Sequence, residues 1–251
     1  MVRVFRCMAI EKLVSRRVVG RLALVLIGGL ATASVLSAQE PPVHYLHQGM
    51  MPPGAIGSRH LQRRAPLLGY FQPVEIRAPA GAQVSLAVDG RFAEPTSAPR
   101  QVGMLIGQVY RIRVTNIPRQ SGMEVFPTIE VIDRTYAPVG QQRRFAIPVE
   151  LSQEDMELAM AGKFVTRVIY LEDPHNALPV QGNLSGQNWF EAAPGQDPLA
   201  VADALGRPVA ILRIGARLPS IGGEPSAEFL FGSPPVQMAA GNVHGPMTND
   251  Q

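Results

Sequence analysis

His44 and His47, three residues apart and followed by Met50 and Met51, form the one spacing in this 251-residue chain with the logic of a metal site. Imidazole and thioether together favour copper. Such a site also needs outer partners to hold its ligands in place, and the proline-broken segment around these residues has little to offer them. Copper binding therefore stands as an alternative reading, beside a simpler one in which the four residues decorate a linker, and no cofactor is expected. Hydrolase signatures are missing: the chain has no Gly-x-Ser-x-Gly elbow and no His-Glu-x-x-His pair, and its only cysteine is Cys7. Two carboxylate pairs, Glu130 with Asp133 and Glu172 with Asp173, flank the ends of expected strands, where acid–base chemistry of the glycosidase kind can assemble. Acidic residues so placed are more often solvated or paired with neighbours, here Arg134 and Arg167. No glycine cluster sits between a strand and a helix at phosphate-loop spacing.

Binding fits these residues better than catalysis. Arg111 and Arg113 alternate along one expected strand and share its polar face, where they can meet an acidic partner or a glycan. Trp189 and Phe190 can offer an aromatic platform to a sugar ring. Each feature also has an ordinary role, as a solvated cross-strand face or as packing.

The elements that must position these residues are mostly strands. Tyr110, Ile112 and Val114 oppose Arg111, Arg113 and Thr115 in a run from Val109 to Ile117, and Val84, Leu86 and Val88 alternate up to an Asp89-Gly90 turn. Further strands are expected over 123–132, 145–151, 164–171 and 209–214, with Pro127 implying an edge or a bulge and Pro148 removing a ladder donor. Two short helices interrupt them. Ser152 and Asp155 resemble a capping box ahead of Met156, Ala159 and Met160. A second helix, from Pro198 to Leu205, has Asp197 as N-cap and Gly206 at C′. The expected fold is all-β, an immunoglobulin-like or related β-sandwich with two short inserted helices.

Residues 1–38 have the layout of an export signal, with Arg3, Arg6, Lys12, Arg16, Arg17 and Arg21 ahead of an apolar stretch from Leu22 to Leu36 and small residues at Ser37-Ala38. This leader carries six basic residues and one acidic, which leaves 17 basic against 19 acidic in the remainder. A nucleic-acid partner is therefore not expected, since the basic surplus needed to neutralise phosphates leaves with the leader. No later apolar run approaches the roughly 20 residues of a bilayer span, so no membrane span is expected after cleavage. Residues 39–68 read as a proline-rich flexible linker, 69–218 as the β-sandwich-like domain, and 219–251, with five glycines and five prolines, as a disordered tail.

Within that domain, residues 78–117 resemble the PEGA module, a small β-domain of bacterial envelope and surface proteins. The matching residues are Pro79-Ala80-Gly81-Ala82, Val84, Val88-Asp89-Gly90, Gly107, Tyr110 and Val114. Glu94-Pro95-Thr96 stands where the family has glycine-threonine-proline. The resemblance implies an envelope role for a small sheet domain. The functional expectation is thus an exported, periplasmic or extracellular, non-enzymatic β-domain that binds or scaffolds an envelope protein or a glycan; the alternatives are a copper-binding protein using the His/Met cluster and a glycan-binding module.

Overall fold

The computed structural model describes residues 2–8, 52–63, 67–173, 175, 189–191, 196–220 and 224–238. Its elements are β1 (Val2–Met8), α1 (Ala55–Arg63), β2 (Phe71–Arg77), β3 (Gln83–Val88), β4 (Arg91–Phe92), β5 (Thr96–Ser97), β6 (Arg100–Leu105), β7 (Val109–Thr115), β8 (Thr128–Val131), β9 (Ile147–Glu150), α2 (Gln153–Met160), β10 (Val165–Glu172), β11 (Trp189–Glu191), α3 (Pro198–Leu205), β12 (Gly206–Ile214) and β13 (Val236–Met238). They form two sheets. The larger runs β11-β1-β10-β12-β8-β7-β3-β4, with β5 also on β3, and the smaller runs β13-β6-β2-β9.

Alternation decides which face of each strand is buried. Val74 and Ile76 of β2, Val102 and Met104 of β6, and Ile147 and Val149 of β9 meet Val84, Leu86, Tyr110, Ile112, Val114, Ile129 and Leu212 of the large sheet in one core. The result is a β-sandwich-like fold, predominantly sheet, with three helices among the described residues rather than the two expected. Pro148 falls in β9, an edge strand, where its missing N–H removes no ladder bond on the open side. Both expected N-caps are present. Ser152 accepts from the Asp155 amide at 3.1 Å, and Asp197 accepts from Leu199 at 3.0 Å with Pro198 in the first turn.

Gly206 differs from its expected role. It is extended (φ 171°), opens β12 rather than closing α3 in a left-handed turn, and is glycine because a Cβ there would run into the Leu171 carbonyl. No helix among the described residues is long and apolar enough to cross a membrane.

The large sheet has a second buried face, and residues expected outside the domain cover it. Ile56 of α1, with Leu199 and Ala202 of α3, packs on Val168, Tyr170 and Ile211, so the segment read as a linker contains a docked helix. Phe229 and Leu230 pack on Ala87 and Phe126, and β13 pairs with β6, so the segment read as a disordered tail joins both sheets. Val2–Met8, within the expected leader, pairs antiparallel with β10 from Val2↔Leu171 to Met8↔Val165.

One inward side chain ties the tail to the core. The Tyr110 hydroxyl accepts from the Leu105 amide at 2.7 Å and donates to the Pro235 carbonyl at 2.9 Å. Burial pushes this phenol up to about 12, against the smaller downward pull of the Leu105 N–H. With a folded value above the ordinary 10, the stabilisation is complete below pH 10 and is lost as pH rises through 12. Tyr110→Phe orphans both backbone groups and is expected to cost about 1–3 kcal/mol. Denaturant melts compare the stabilities, and faster amide exchange at 236–238 is the local sign.

Candidate functional site

The register of the large sheet sets four polar residues in a row. Arg111 of β7 lies opposite Thr128 of β8, Thr128 opposite Arg213 of β12, and Arg213 opposite Thr166 of β10. Residues directly opposite one another share a face, and this is the outer face, since the alternate positions Tyr110, Ile129 and Leu212 fill the core between the sheets. With strands about 4.8 Å apart, the two arginine Cα atoms stand roughly 10 Å from each other across Thr128. A cleft of about 280 Å³ lies above them, between the two covers of the outer face, with Pro53 beside α1 on one side and Phe231 from the tail on the other. Its floor and lip also include Phe164 and Arg217.

The charges of the cleft do not balance locally. Glu130, completely buried, is the one carboxylate bonded at the floor among the described residues. Its Oε2 accepts from Arg213 Nη1 at 2.7 Å and its Oε1 accepts from the Gly57 amide at 2.8 Å, in the first turn of α1. Gly57 must lack a side chain, because a Cβ would come within 2.8 Å of the Gly107 Cα. Arg213 is only 5 % exposed, lines the cleft, and has no acceptor for its Nη2 among the described residues.

Arg111, 6 % exposed, has no carboxylate bonded to it among the described residues. Its Nε donates to the Phe229 carbonyl at 3.1 Å and its Nη1 to the Phe126 carbonyl at 2.7 Å. The guanidinium lies 4.6 Å from the Phe229 ring centre and 5.0 Å from that of Phe231, a cation–π arrangement. Burial, and then the nearby charge of Arg217, pulls its pKa down to about 10. Arg217 is mostly exposed, its nearest acid being Glu228 at 3.6 Å on the open surface. Among the described residues, two buried guanidiniums, Arg111 and Arg213, thus line the cleft beside one buried carboxylate whose two oxygens are both engaged, and Arg217 at the edge is paired with Glu228.

The other sequence-derived candidates lie elsewhere. Arg113 shares the face of Arg111 but sits outside the cleft, 5.5 Å from the Phe92 ring and 3.9 Å from Glu124. Trp189 and Phe190 belong to β11, whose backbone is separated from β7 by β1, β10, β12 and β8. His44, His47, Met50 and Met51 lie outside the described residues. Among the described residues, no three His, Cys, Asp or Glu side chains are grouped to hold a metal ion. Glu130 and Asp133 are not solvated, nor are their cations the expected ones. Asp133 pairs with Arg207 at 2.7 Å and accepts the Arg134 backbone amide at 2.8 Å, while Arg167 pairs with Asp155 at 2.6 Å. Glu172 and Asp173 line a shallow hollow with Asp203 and Arg207.

Of the residues singled out from the sequence, Arg111 is the one that lines this cleft, buried rather than solvated. Arg213, Thr128 and Arg217 went unnoticed. The available signal was an arginine inside the apolar run Val209–Ile214, where a charge requires a partner.

Fold and cleft together define a class: a sandwich-like domain whose covered outer sheet face holds a small cationic, aromatic-walled recess. Comparisons with protein-family models, curated proteins and solved structures match nothing to this chain.

Proposed function

We propose that this chain is an exported, non-enzymatic binding module of the cell envelope, and that its working face is the cleft formed by Arg111, Arg213 and Arg217. The observation that supports it is Arg111 itself, a buried cation held by two carbonyls and two aromatic rings with no carboxylate bonded to it among the described residues. A desolvated guanidinium is expensive to keep, and a bound anion would supply the missing charge. The PEGA-like segment contributes β3 to β7 and with them the arginine strand, while residues 1–38 would direct export.

The test compares thermal unfolding of the full chain in chloride, phosphate and carboxylate salts at equal ionic strength. Phosphate or carboxylate should raise Tm over chloride, by about 2.7 kcal/mol of stability at a hundredfold excess over Kd. Arg111→Gln combined with Arg217→Gln should abolish the difference. The folded pKa of Arg111 lies below the ordinary 12.5, so its unmet charge burdens the fold at neutral pH and is relieved as pH rises through 10. Stabilisation by the anion should accordingly shrink above pH 10. Identical melting in all salts would sink the proposal.

A further inference from the structure

We propose that the cleft takes a small organic acid, a carboxylate joined to an apolar body no larger than one amino-acid side chain. The proposal rests on the cleft being the working face and goes on to name what occupies it.

Size comes first. About 280 Å³ falls just below the roughly 300–1,000 Å³ of sites that enclose drug-sized ligands, too little for a nucleotide or an oligosaccharide. The walls are divided in kind. Arg111, Arg213 and Thr128 form a polar floor, while Pro53, Phe164 and Phe231 supply apolar surface. Phe164 is held at the lip, its ring over the bare backbone of Gly215 and nearly half exposed. All three cations are arginines, whose planar forks match a planar carboxylate, and Arg213 Nη2 still has no acceptor among the described residues. An inorganic oxyanion would use the floor and gain nothing from the rings. A carboxylate bearing an aryl or alkyl group uses both.

The same chemistry is available from a free acid and from the C-terminal residue of another polypeptide. Calorimetric titration of the full chain with 3-phenylpropionate, acetate, inorganic phosphate, and acetyl-Gly-Gly-Phe with a free or an amidated carboxyl tests the proposal and separates the sources. The expected result is binding of 3-phenylpropionate at least tenfold tighter than acetate or phosphate. Phe164→Ala, a change at a half-exposed ring, should reduce that preference to threefold or less with acetate unaffected. Arg217→Gln, on the surface, should weaken every anion.

Tight binding of the free-acid peptide and none of its amide assigns the site to a chain terminus; binding of 3-phenylpropionate alone assigns it to a free acid. Phosphate binding as tightly as 3-phenylpropionate overturns the organic-acid assignment and leaves the anion cleft standing; measurable and equal binding of the two peptides shows that the carboxylate is not what is recognised and overturns both. Absence of binding by every anion overturns both.

Discussion

Glu130→Ala is expected to lower folding stability by about 3–5 kcal/mol, the range for breaking one side of a buried ion pair. The carboxylate is sealed from water and answers two donors at once, Arg213 Nη1 and the Gly57 amide of α1. Removing it leaves the Arg213 guanidinium buried beside an already unbalanced Arg111, orphans an amide in the first turn of α1, and loosens the seat of that helix on the outer face. Against the roughly 5–15 kcal/mol that a domain commands, much of the folded population is at risk. Urea midpoints provide the measurement, with amide exchange at 55–63 as the local readout. Glu130→Leu combined with Arg213→Met should recover a good part of the loss, because an apolar pair of similar volume leaves no stranded charge. A single variant as stable as the parent would refute the account of the floor.

Asp155→Ala should be comparably severe, again about 3–5 kcal/mol, on the opposite side of the large sheet. Asp155 is fully buried and pairs with Arg167 Nη2 at 2.6 Å. The same nitrogen donates to the Ser152 hydroxyl at 3.2 Å, the oxygen that also caps α2. Loss of the carboxylate leaves Arg167, 5 % exposed, with the Ser152 hydroxyl as its side-chain partner among the described residues. Met156 and Ala159, which α2 contributes to the main core, then lose their anchor. Exchange at 153–160 should quicken before global unfolding. If exchange there is unchanged while the urea midpoint falls, the role assigned to the pair in seating α2 fails.

The parts of this fold visible in the sequence are those governed by local rules. The strand over 109–115 follows from alternation, the start of α2 from Ser152, the start of α3 from Asp197 and Pro198, and the edge position of β9 agrees with Pro148. Helix α1 obeys no such rule. Its sequence has few apolar residues, Ile56 and Leu61 among them, and it is held by a carboxylate 73 residues away and by a backbone approach that only Gly57 permits. The tail was read by composition, yet Phe229 and Leu230 find a pocket prepared by Ala87 and Phe126, and a pocket made of distant residues leaves no local trace. The same reason hid the cleft. Alternation placed Arg111 on the face away from the core but gave no sign that a second layer would close over it, and the register that brings Arg213 beside Thr128 is a property of pairing.

The position of Val2–Met8 bears on the expected leader. Cutting after Ala38 would withdraw β1 from between β10 and β11, expose the main-chain donors and acceptors of β10 along an unfinished rim, and strip β11 of the strand it pairs with. If residues 1–38 act as a cleaved leader, the cut removes one strand from the large sheet and leaves β10 with an open edge of the kind that pairs with a further extended segment.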